Sequence, residues 1–79
     1  MDDETSRIQK DIKLFEENFE KIRYKDLNSK KKRIIELAKQ YYDDSKYYLD
    51  KKDYLTSFGC INYGHGLLDA VLIMEGDKE

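Results

Sequence analysis

The stretch "INYGHGLLDAVLIM", residues 61–74, decides how this chain folds. Its apolar residues recur at intervals of three and four, the spacing of a helix. Yet two glycines flank a histidine inside it, and an aspartate follows. Carried back to Asp53, a good N-cap, and on to position 75, the stretch becomes one long helix. Its main stripe is Tyr54, Phe58, Ile61, His65, Leu68 and Leu72, while Cys60, Leu67, Val71 and Met74 widen the apolar surface round one side. A helix so broadly apolar is either the central element of its fold or in contact with a second chain.

Two further helices supply the cover. Upstream of the turn "DKK", Ile34, Ile35, Ala38, Tyr41, Tyr42, Ser45, Tyr48 and Leu49 fall on about a third of a helix circumference, with Glu36, Lys39, Gln40, Asp43 and Asp50 opposite. This predicts a helix over 28–50, capped by Asn28 or Ser29. Ile8, Ile12, Phe15, Phe19 and Ile22 form a narrower stripe, predicting a helix over 4–24 that Thr5 or Ser6 could cap and that "YKDLNS" ends. Short connections make each helix antiparallel to the one before, so the expected fold is an all-α, up-and-down three-helix bundle in a single domain, 1–79. Ile34, Ala38, Tyr41, Phe58, Ile61, Leu68 and Leu72 should be mostly buried, and only the closing "GDKE" should fray.

Composition agrees with a helical domain under a charged exterior. Of the 79 residues 41% are charged and 39% hydrophobic, without proline, and the formal net charge of −2 gives no bulk attraction for nucleic acid or an anionic membrane. "MDDETSRIQKD" is charged where a signal peptide needs an apolar core, and no apolar run reaches the roughly 20 residues that span a bilayer. Cys60 is alone, which excludes an intramolecular disulfide. The expectation is a cytoplasmic chain without a membrane partner or cofactor.

Residues 41–76, "YYDDSKYYLDKKDYLTSFGCINYGHGLLDAVLIMEG", resemble the archaeal domain-of-unknown-function family numbered 357. The tyrosine-rich helix, the "KDY" turn and the "YGHGLLD" helix ending near a glycine carry the resemblance. It implies an archaeal cytoplasmic three-helix bundle without an established activity. Where the family pattern suggests a glycine in the turn, this chain has Lys52, which in left-handed geometry costs on the order of 1 kcal/mol; the turn is therefore expected to close differently. A weaker similarity runs to the helical hairpins of HEPN domains and tetratricopeptide repeats. The arginine that HEPN ribonucleases carry with four to six residues between it and a histidine is missing, since Phe58, Gly59 and Cys60 stand at those positions before His65.

Several groups invite a functional reading. Glycine inside a helix costs about 1 kcal/mol relative to alanine, so Gly59 and Gly66, seven apart with Gly64 between, predict a seam where another helix or a ligand comes close. His65 and Asp69, one turn apart, suit a hydrogen-bonded pair, either a base with its orienting carboxylate or a satisfied core histidine. No nucleophile stands at a matching spacing, because Cys60 lies about 140° round the helix. Neither catalytic residues nor a metal site is expected, as Asp43 and Asp44 face away from the helix 2 stripe. "KKKR", Lys30, Lys31, Lys32 and Arg33, makes a basic collar that could touch phosphates, with Tyr47 as an exposed base-stacking ring.

These readings favour a small helical module acting through a protein partner or a homodimer, with a nucleic-acid or nucleotide-binding accessory domain as the alternative and no enzyme. The expected partner surface is Cys60, Leu67, Val71 and Met74. On that reading Val71→Asp disturbs assembly and spares the fold, whereas Leu68→Asp unfolds the chain.

Overall fold

The computed structural model describes residues 3–76. It contains α1 (Asp3–Phe19), a single 3-10 turn at Tyr24–Asp26, α2 (Ser29–Asp50) and α3 (Tyr54–Met74), with no strand among the described residues. Cross-contacts fix the topology. Ser45 meets Ser57 and Lys31 meets Glu75, so α2 and α3 run antiparallel. Phe15 stacks on Tyr42, while Arg7 sits over Phe58 and His65 reaches Asp11, so α1 is antiparallel to α2 and parallel to α3. The chain is an all-α, up-and-down three-helix bundle.

Residues outside the helices explain where the helices stop. Asn28 caps α2 by accepting a 2.9 Å hydrogen bond from the Lys31 amide, and Asp53 caps α3 through the Thr56 amide at 3.3 Å. α1 ends sooner than its stripe suggests. Tight bonds from Lys21 N–H to the Asn18 carbonyl and from Ile22 N–H to the Phe19 carbonyl close it after Phe19. Ile22 is then half-buried from the connection rather than from the helix, and Leu27 follows it as a buried plug at 6% exposure. α1 begins at Asp3, ahead of Thr5 and Ser6, so neither caps it. The tail expected to fray lies, beyond Gly76, outside the described residues.

The turn between α2 and α3 closes with a left-handed residue after all. Lys52 has φ +62°, its N–H bonds to the Leu49 carbonyl at 3.0 Å, and the Asp53 N–H bonds to the Tyr48 carbonyl at 2.9 Å. This pair of bonds is the Schellman C-cap, made here by lysine in place of glycine. Satisfying two end carbonyls and seating the Asp53 cap offsets the strain of about 1 kcal/mol.

One cluster serves all three helices: Ile8, Ile12 and Phe15 of α1, Leu27 of the connection, Ile35, Ala38 and Tyr42 of α2, and Ile61, Leu68, Val71 and Leu72 of α3. α2 and α3 share the longest contact and α1 lies mainly against α3. Ile34, Tyr41 and Phe58, expected in the core, are only half-buried at its edge. Small residues let α2 and α3 approach. Ser45 and Ser57 are both fully buried, and each hydroxyl donates to the other's carbonyl, at 2.8 and 2.7 Å. Two turns on, a Cβ added to Gly64 would sit 3.2 Å from the Ala38 carbonyl oxygen, so even a methyl group there would need the two helix backbones to move apart by a few tenths of an ångström.

Candidate docking surface

α3 is apolar almost all round, and the fold covers only part of it. Its buried residues are Ser57, Ile61, Gly64, Leu68, Val71 and Leu72. Compared with the stripe read from the sequence, the helix is turned so that the Ser57–Gly64–Val71 edge faces α2. That turn rearranges the expected partner surface. Val71 is 0% exposed, Leu67 packs half-buried against the core and Cys60 is half-buried; of the four residues only Met74 stands clear, at 51%. Burial pushes the Cys60 thiol pKa up, with Asp44 and Asp53 adding to it, so the thiol is poorly nucleophilic. The flank assigned to a partner is occupied by α2.

The glycine seam is corrected too. Gly59 and Gly66 are exposed, and a Cβ on either would meet nothing within 4 Å. The glycine that admits a neighbouring backbone within the chain is Gly64. Its signal was present in the heptad Ser57–Gly64–Val71 matched by Ala38–Ser45 on α2, small residues seven apart on facing helices.

What α3 shows to solvent is the opposite face. Leu55, Gly59, Asn62, Gly66 and Ile73 run along its middle, with Thr56, Tyr63, Ala70 and Met74 beside them. These are all the exposed residues of α3, and none is charged. The exposed sides of α1 and α2 carry charged residues along their whole length. Leu55 is 85% exposed, and Tyr63, Ile73 and Met74 are each more than half exposed. Near the N-terminal end of this face a shallow groove of about 150 Å³ opens between α3 and α1, lined by Glu4, Arg7, Ile8, Tyr54, Leu55 and Phe58, with the Arg7 guanidinium 5.9 Å from the centre of the Phe58 ring.

His65 and Asp69 lie on the flank towards α1, both half-buried. The His65 ring donates from Nε2 to the Asp11 carbonyl at 2.9 Å, and the ring stands edge-on to Phe15 with centroids 5.6 Å apart. The imidazole thus ties α3 to α1. Among the described residues no group of three His, Cys, Asp or Glu side chains could hold a metal ion. A polar latch on the other side of α1 joins it to α2: the Tyr42 hydroxyl donates to Glu16, and the Lys46 and Lys39 ammoniums sit 5.1 and 5.8 Å from the Tyr42 ring centre. Burial first, then the bond to Glu16, pushes the Tyr42 pKa up to about 12, keeping this hydroxyl a donor.

The collar and its tyrosine are not brought together. Lys32 and Tyr47 are on one helix about 22 Å apart along its axis. Lys31 is committed to Glu75 at 2.6 Å, and Lys32 lies 5.3 Å from the ring centre of Tyr24, whose hydroxyl donates to Glu36 and has its pKa raised by that bond. Lys30 and Arg33 are exposed. Tyr47, 56% exposed, has its own cation in Lys51, 5.5 Å from its ring centre.

The arrangement defines a small three-helix domain with one uncharged helical face and no metal-binding cluster among the described residues. Within that class, residues 10–76 match the model of the family described as Protein of unknown function (DUF357), and the chain belongs to it. A comparison with curated proteins finds no match. Among the described residues no helix is long and apolar enough to cross a membrane.

Proposed function

We propose that the chain is a non-catalytic helical docking module that holds a protein partner on the outer face of α3. One observation carries this reading: in a chain that is 41% charged, the exposed side of a 21-residue helix has no charge at all. Solvated helix faces are ordinarily charged, and a helix apolar all round belongs in an interior. Gly59 and Gly66 cost helix stability and relieve no clash inside the chain, so their use lies outside it. His65 supports the same reading, since its Nε2 is engaged by the Asp11 carbonyl.

The basic collar supports a nucleic-acid role less well, because Lys31 is held by a carboxylate and Lys32 by a ring that itself bonds to one. Photo-crosslinking in the native host tests the docking face. A photoreactive residue at Asn62 or Ala70 gives protein adducts, whereas the same residue at Lys13 on α1 or Lys39 on α2 gives none. Adducts of equal yield from all three helices, or none from α3, would overturn the reading.

A further inference from the structure

We infer that the partner on this face is a second copy of the chain, paired through α3 in antiparallel fashion about a two-fold axis level with Gly64. The inference rests on the reading of the α3 outer face as a docking surface, and three observations point to self-pairing. The first is the order of residues along the face. A two-fold contact must be self-complementary, so each residue i that meets j also has j meeting i. Leu55 and Ile73 lie nine residues either side of position 64, and Asn62 and Gly66 lie two either side. An antiparallel pair therefore sets Leu55 against Ile73 at both ends and Asn62 over the bare backbone of Gly66 at the centre. With glycine there, the helix axes can approach to the lower end of the usual 8–10 Å.

The second observation is the groove. A two-fold axis perpendicular to both helices keeps each flank on its own side, so Ile73, 52% exposed, arrives at the flank where Leu55, Tyr54 and Phe58 line the opening beside α1. A knob at one end of the helix meets a recess at the other end of its copy.

Charge is the third. Arg7 is exposed over Phe58, and pairing about position 64 brings Phe58 level with Ala70 and therefore beside Asp69 of the second copy. Arg7 of each copy thus faces Asp69 of the other at both rims of the contact, with Glu4 one turn further out. A strip about 31 Å long and one helix wide, with the groove added, falls below the area that stable specific pairs bury and in the range of weak, transient ones. The dimer is accordingly concentration-dependent.

Sedimentation equilibrium of the purified chain at high micromolar concentration tests this. The expected mass is twice 9.5 kDa, falling to the single mass on dilution. Gly66→Glu and Leu55→Glu each give the single mass with an unchanged helical signal, because neither position touches the core. In a Cys60→Ser background, Leu55→Cys with Ile73→Cys oxidises to a covalent dimer. Those positions are about 27 Å apart within one helix, far beyond disulfide reach. Leu55→Cys alone does not crosslink in the antiparallel pair; if it does, the pairing is parallel and the inference fails. A chain that stays monomeric at every concentration overturns self-pairing. The docking face itself then survives only if the Asn62 adducts persist and contain a different protein.

Discussion

Val71→Asp unfolds the chain. Val71 is 0% exposed on the edge of α3 that faces α2, in the same cluster as Ile61, Leu68 and Leu72. Burying a carboxylate there without a cation costs several kcal/mol even after relaxation, and the lost apolar burial adds about 1.5 to 3 kcal/mol. A domain of this length holds roughly 4 to 12 kcal/mol in total. The far-ultraviolet circular dichroism of Val71→Asp should therefore be that of a largely unfolded chain at 25 °C. Ile73→Asp, two residues on and 52% exposed, should keep the helical spectrum and a cooperative melt. A folded Val71→Asp protein would mean that α2 does not cover this edge, and the placement of the docking face would fall with it.

Phe15→Ala should be the most damaging simple truncation. Phe15 is 1% exposed and is the largest fully buried side chain. It stacks on Tyr42 at 4.9 Å and on Phe19 at 5.8 Å, stands against the edge of His65, and its Cε2 lies 3.5 Å from where a Gly64 side chain would begin. All three helices meet on this ring, so no single neighbour can close the hole. Truncating a buried phenylalanine costs about 3 to 5 kcal/mol, most of what a domain this small possesses. Urea titration should move the midpoint to near zero denaturant for Phe15→Ala and much less for Phe15→Leu. A loss below about 1 kcal/mol would contradict a shared aromatic centre.

The helices of this bundle were legible in the sequence and the rotation of one of them was not. α1 and α2 each oppose an apolar stripe to a charged face, so Ile8, Ile12, Phe15, Ile35, Ala38 and Tyr42 fall inside as their spacing predicts. α3 has no such contrast, and periodicity alone could not choose between the Phe58–His65 edge and the Ser57–Gly64–Val71 edge. Packing chose the second, because the small residues of α2 lie opposite it. That choice moved Val71 and Leu67 from the expected partner surface into or against the core, and it left Gly59 and Gly66 facing solvent. Ile22 misled in a different way: it continues the α1 spacing but belongs to the connection that folds under the bundle. The uncharged run Leu55, Gly59, Asn62, Gly66, Ile73 was visible all along as an absence of charge.

The unequal sharing of contacts among the helices also sets an order of assembly. α2 and α3 are joined by the Lys51–Asp53 turn and locked by the Ser45–Ser57 pair, so their hairpin closes over a short loop at little entropic cost. α1 reaches its place through a longer connection and meets α2 in few places beyond Phe15, Glu16 and Phe19. The hairpin should therefore form first and α1 dock last, and in the native state α1 should be the element that opens at least cost. Its amides should exchange with deuterium ahead of those in the middle of α2 and α3. Each such opening bares the slot of Phe15, so transient vulnerability to proteases should lie at the amino-terminal helix.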